Sequence, residues 1–131
     1  MLFSVRKNNY PQSFVDYVNV HKDQVYQLSY MLTGNSRAAE EISTEAFLRA
    51  YTQTNYKRYI TKNHTQLYRI VVDLVTDYLA ERKTETGKKK VGKDTLEDSL
   101  IALPIRERVK VVLKYIFELQ SRDIEAILES M

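Results

Sequence analysis

Apolar positions in this 131-residue chain recur at intervals of three and four residues, the spacing that places side chains on one face of a helix. From about Gln12 to Leu32, Phe14, Val18, Val25, Leu28 and Leu32 share a face, and His21 fills the gap between Val18 and Val25. Pro11 sits just before the start, where proline is tolerated, and Gly34 suits a left-handed stop. Asn35 and Ser36 are capping candidates for a second helix, with acidic Glu40 close behind to suit its positive end. There Ala39, Ile42, Ala46 and Ala50 form the inward stripe, flanked by Phe47 and Tyr51, and Glu41, Glu45 and Arg49 climb the opposite side at intervals of four. This helix is expected to run to about Asn55. Residues 52–65, TQTNYKRYITKNHT, lose the helical period and predict a loop. A third helix is expected over Thr65–Arg82, with Leu67, Ile70, Val71, Leu74, Tyr78 and Leu79 buried and Gln66, Arg69, Asp73, Thr76 and Asp77 outward.

The period then stops. Residues 83–93, KTETGKKKVGK, hold two glycines and five lysines and predict a flexible basic linker. Beyond it, Asp94 is placed to cap a short helix reaching about Ala102, which Leu103-Pro104 breaks. Ile105, Val109, Val112, Leu113 and Ile116 define a helix to about Leu119, and Gln120-Ser121 starts a last one with Ile124, Ile127 and Leu128 inward. The pattern predicts an all-α chain of two helical modules, 10–83 and 94–131, joined by a linker at 84–93.

Composition narrows the chemistry. Only three glycines and two prolines argue against a turn-rich β fold. Cysteine is absent, which removes disulfides and thiolate sites and fits a reducing cytoplasm. His21 and His64 lie far apart without ligand-spaced partners, so no metal and no other cofactor is expected. No apolar run approaches the roughly 20 residues of a membrane span, and Arg6 and Lys7 follow the short apolar start in the wrong order for a secretion signal. The expectation is a cytoplasmic protein with no membrane role. No nucleophile beside a histidine and no glycine-rich phosphate loop is visible, which argues against an enzyme. The net charge of +3 is unevenly spread: residues 57–95 carry ten Lys/Arg against five Asp/Glu, whereas 96–131 carry five against seven. A polyanion would therefore meet the middle of the chain.

Three strings resemble one family. Residues 39–51, AEEISTEAFLRAY, are similar to the core-binding helix of extracytoplasmic-function (ECF) RNA polymerase sigma factors of the sigma-70 family. Gln66-Leu67-Tyr68-Arg69-Ile70-Val71 looks like that family's WLYRIA, and Leu103-Pro104 through Leu128 looks like its LPERxREVLxLRYxEGLSxxEIAxIL. Together they cover about two-thirds of the chain, in the family's order and spacing. The resemblance implies a sigma region 2 module followed by a region 4 module of helix-turn-helix type, and a role in transcription initiation.

The family's site residues carry over position by position. Glu41, Glu45 and Arg49 would dock on the clamp helices of the polymerase largest subunit, although Thr44 stands where the family usually has Gln. Lys57, Arg58, Tyr59, Lys62, Gln66, Arg69 and Asp73 would contact promoter −10 DNA, with rings stacking on unpaired bases and cations following phosphates. Gln66 replaces the family's Trp, Asn63 an aromatic, and Asp73 an Asn, so the DNA-reading face departs from the pattern. A carboxylate accepts hydrogen bonds only and repels phosphate, and Asp73 stands four residues from Arg69, placed to neutralise it. In the C-terminal part Glu118 replaces the usual Gly, and the match ends before the family's −35 recognition helix, which the chain is expected to lack. Two alternatives stand beside a self-sufficient sigma factor. One is a polymerase-binding co-sigma or modulator that relies on a partner chain for −35 recognition; the other is a helical interaction domain with no DNA role. An anti-sigma factor is a further candidate partner.

Overall fold

The computed structural model describes residues 10–53, 65–81, 96–129 and 131, and all its regular elements are helical. The 84–93 linker and Asp94 lie outside the described residues. Helix α1 spans Gln12–Thr33, α2 Ser36–Gln53 and α3 Thr65–Glu81. After them come α4 at Leu96–Ile101, α5 at Ile105–Val111, running on into a π-helical turn at Val112–Ile116, and α6 at Ser121–Leu128.

Helix α1 ends where the sequence says it should. Gly34 adopts φ +70°, and its amide donates to the Tyr30 carbonyl at 2.7 Å. Of the two capping candidates for α2, Asn35 does the work: its Oδ1 accepts the Ala38 amide at 2.9 Å. The inward stripes of α1 and α2 then meet through aromatic rings. Tyr51 lies 4.7 Å from Phe14 and 5.0 Å from Tyr10 between ring centroids, and Tyr17 meets Phe47 at 6.0 Å and His21 at 4.8 Å. His21 is buried in this stripe, as its position in the apolar pattern implied.

Helix α3 departs from expectation. Leu67, Val71 and Leu74 are buried, but Ile70, Tyr78 and Leu79 are only half-buried, while Tyr68, Val72 and Val75 are buried too. The buried arc is shifted because α3 packs on two sides, against α1 and α2 on one and against α6 on another. A single amphipathic stripe cannot report a second neighbour.

The C-terminal helices therefore share one core with the N-terminal ones. Leu100, Val109, Val112, Leu113, Ile124, Ile127 and Leu128 belong to the same buried cluster as Phe14, Leu28 and Phe47. Two close approaches fix the junction. A Cβ at Gly34 would lie 3.0 Å from Ile101 Cδ1, so the α1–α2 turn abuts α4. Arg108, only 7% exposed, donates from Nη1 to the Leu32 carbonyl at the end of α1, and from Nη2 to the carbonyls of Ile101 at 3.0 Å and Leu103 at 2.7 Å.

The helix expected to reach Leu119 stops earlier. Its last turn widens to π geometry, the Phe117 amide reaches back to Val112 at 3.1 Å, and Glu118 turns left-handed at φ +57°. The Leu119 amide then closes onto the Leu113 carbonyl at 2.9 Å. The backbone thus takes a glycine-like conformation with a glutamate in place.

Candidate polymerase and nucleic-acid interface

Helix α2 buries Ala39, Ile42, Ala46, Phe47 and Ala50, which leaves its other side to solvent. Glu41 and Glu45 are exposed and Arg49 is half-exposed. Arg49 Nε donates to Glu45 Oε2 at 3.2 Å, one helical turn apart. A pair this exposed contributes only about 0.3–0.5 kcal/mol to the helix, so the charges stay available to a partner at small cost. Thr44 donates its hydroxyl to the Glu40 carbonyl one turn back at 3.0 Å.

On α3, Gln66 is exposed and Arg69 and Asp73 are half-buried. The three lie on the side of α3 away from its core, at spacings of three and four residues. The ion pair anticipated between Arg69 and Asp73 does not form among the described residues, so the guanidinium is not neutralised by that carboxylate. Lys57, Arg58, Tyr59 and Lys62, together with Asn63 and His64, lie outside the described residues. The structure thus brings Gln66, Arg69 and Asp73 together and places Glu41, Glu45 and Arg49 on a separate helix.

Tyr68, between Gln66 and Arg69 in sequence, plays another part. It is 2% exposed, its hydroxyl donates to Gln24 Oε1 on α1 at 3.2 Å, and its ring meets Phe117 edge-on at 5.5 Å between centroids. Burial pushes its phenol up to about pKa 12. Tyr68 joins α1, α3 and the C-terminal helices, a role the sequence reading missed, as it missed Arg108. The signal for Tyr68 was present: Tyr68, Val72 and Val75 form a second apolar row one step around the helix from Leu67 and Val71.

Among the described residues no group of three or more His, Cys, Asp or Glu could hold a metal ion, and no helix is long and apolar enough to cross a membrane.

All regular elements among the described residues are helical, which fits the all-α region 2 and region 4 modules of sigma factors. No family model matches the chain. It is 31% identical to the ECF RNA polymerase sigma factor SigW of Bacillus subtilis (strain 168) over an alignment of 144 residues, covering 88% of this chain and 77% of that protein. A shorter match, 34% identical over 71 residues, covers 53% of this chain and 27% of the ECF RNA polymerase sigma factor SigE of Mycolicibacterium smegmatis. The chain belongs to the ECF RNA polymerase sigma factor family.

Proposed function

We propose that this protein binds core RNA polymerase through the outer face of α2 and promoter −10 DNA through the 56–62 segment and the outer side of α3, acting in the cytoplasm without catalysis of its own. Glu41, Glu45 and Arg49 meet the clamp helices of the polymerase largest subunit. Their charge and exposure suit a contact steered by electrostatics and made without burying much apolar surface. Lys57, Arg58, Tyr59 and Lys62 follow and stack on the opened strand, with Gln66 and Arg69 beside them and Asp73 at the position that faces a base. Residues 10–83 form the region 2 module, 84–93 the connection and 94–131 the region 4-like module. The observation that carries this reading is family membership across 88% of the chain, combined with an α2 polar face left open to solvent.

A second reading is favoured by Gln66 and Asp73, which weaken base recognition: the protein docks on polymerase as a co-sigma or modulator and leaves promoter choice to another chain. Co-purification with core polymerase tests the shared part of both. Wild type is expected to bind stably and Glu45→Lys to lose binding, since reversal places a cation beside Arg49 and inverts the face. Absence of binding by the wild type refutes both. A salt-steep affinity for single-stranded promoter DNA that disappears in Arg58→Glu with Lys62→Glu separates the sigma factor from the modulator. If promoter opening by the polymerase complex survives that double change, the DNA role of the segment is refuted.

A further inference from the structure

Arg69 and Asp73 stand one helical turn apart on α3, both half-buried, and among the described residues they bond neither each other nor any other group. On α2 the outcome is the opposite: Glu45 and Arg49, also four residues apart, meet at 3.2 Å. Chain direction accounts for the difference. An acid placed one turn before a base suits the helix, and α3 carries the reverse order. Both groups are therefore open to a ligand without first breaking a pair.

Their surroundings limit what that ligand can be. Positions 66, 69, 70 and 73 share one face, with Gln66 exposed and Ile70 half-buried, and exposed Asp77 extends the face by a turn. One cation against two carboxylates makes this strip a poor track for phosphates. The Thr76 hydroxyl at its edge is committed to the Val72 carbonyl at 2.8 Å. What remains is a guanidinium that only donates, a carboxylate that only accepts, and an apolar side chain against which a flat ring can rest. A base that answers both charges must offer paired acceptors to one and paired donors to the other. Guanine does so, with O6 and N7 on one edge and N1–H and the N2 amine on the next. Adenine and cytosine each carry a single donor group, the exocyclic amine, and thymine only its N3–H. In a duplex the N1 and N2 donors of guanine are spent on cytosine, so only an unpaired guanine presents both edges.

We propose that Arg69 and Asp73 bracket one unpaired guanine of the opened strand, Arg69 forking onto O6 and N7 and Asp73 accepting from N1–H and the N2 amine. The proposal rests on the DNA-binding reading above. Asp73 then changes which base is read and does not abolish reading.

The test is anisotropy of fluorescein-labelled oligothymidylate carrying one central guanine, adenine, cytosine or thymine. The guanine strand should bind the wild type about tenfold more tightly than the other three. Hypoxanthine, which lacks the N2 amine, and 7-deazaguanine, which lacks the N7 acceptor, should each lose most of that gain. Asp73→Asn should bind guanine and hypoxanthine strands equally, because an amide cannot accept from both donors. Arg69→Lys should no longer distinguish guanine from 7-deazaguanine, because the fork is gone. These analogue comparisons respond to contact with the base and not to a general loss of structure. GMP should not displace the guanine strand at equal concentration, since it lacks the flanking phosphates; displacement would make the ligand a nucleotide and overturn the strand assignment. Equal affinity for the four strands overturns the guanine site while leaving the DNA reading intact. A guanine preference that Asp73→Asn and hypoxanthine both leave undiminished overturns the bracket as well. Absence of wild-type binding to every strand removes the DNA reading and the guanine site with it.

Discussion

Glu118 should be replaceable by glycine with a gain in stability. Its φ of +57° places it in the left-handed region, where a Cβ crowds the following carbonyl oxygen at a cost of about 1–2 kcal/mol. Glycine escapes that cost but gains freedom in the unfolded chain, which returns about 0.4–1 kcal/mol. The exposed side chain has no packing to lose. The net expectation for Glu118→Gly is a gain of about 0.5–1 kcal/mol, or a rise in Tm of roughly 2–5 °C for a domain of this size. Equilibrium urea unfolding followed by circular dichroism gives the free energy. Glu118→Gln removes the charge while keeping the Cβ, so it isolates any electrostatic part arising from the acidic C-terminal region. The backbone argument requires an order: Gly most stable, then Asn, then Glu and Gln together, then Val, whose branched Cβ tolerates this conformation least. A glycine variant less stable than wild type, or a Gln variant equal to Gly, would refute it. The effect should fall on α5 and α6, since the Leu119 amide closes the π turn only while Glu118 holds this conformation.

Gly34→Ala should cost about 1–2 kcal/mol from its left-handed backbone alone, plus a steric part, because the new Cβ would meet Ile101 Cδ1 at 3.0 Å. Ile101→Val deletes that methyl but keeps Cγ1, which would stand 3.1 Å from the new Cβ, so it should recover only part of the steric cost, a coupling that a double-mutant cycle in urea measures; strict additivity would show that the two do not touch. Tyr68 predicts a loss of stability at high pH. Its folded-state pKa of about 12 lies above the unfolded value near 10, so the native state holds a proton that the unfolded chain releases between them. Its contribution is fully present below pH 10 and is lost as the pH rises from 10 through 12. Tyr68→Phe should lack that step, and at neutral pH should lose about 1 kcal/mol with the hydrogen bond to Gln24. An alkaline unfolding profile identical to wild type would contradict the assignment.

The sequence by itself determined each helix and where most of them begin and end. Gly34 had to stop α1, Asn35 could start α2, and the spacing of Ala39, Ile42, Ala46 and Ala50 left Glu41, Glu45 and Arg49 facing outward, because a helix fixes the faces of its residues locally. The family was legible in short strings that combine buried residues such as Ala46, Phe47, Leu67 and Tyr68 with exposed ones such as Glu41 and Glu45 at fixed helical spacing. What the sequence left open concerned groups whose partners are far away in the chain. The expected stripe on α3 omitted Tyr68, Val72 and Val75, because periodicity assumes one neighbour and α3 has two. Arg108 read as one more cation in a charged helix until tertiary packing set its guanidinium against the Leu32 carbonyl, 76 residues away. Glu118 read as a departure from a pattern; only the backbone showed that it carries the left-handed turn that the pattern's glycine would serve. Local spacing decides what a helix is, whereas desolvation at a junction between helices decides which of its charges and rings are spent on holding the fold.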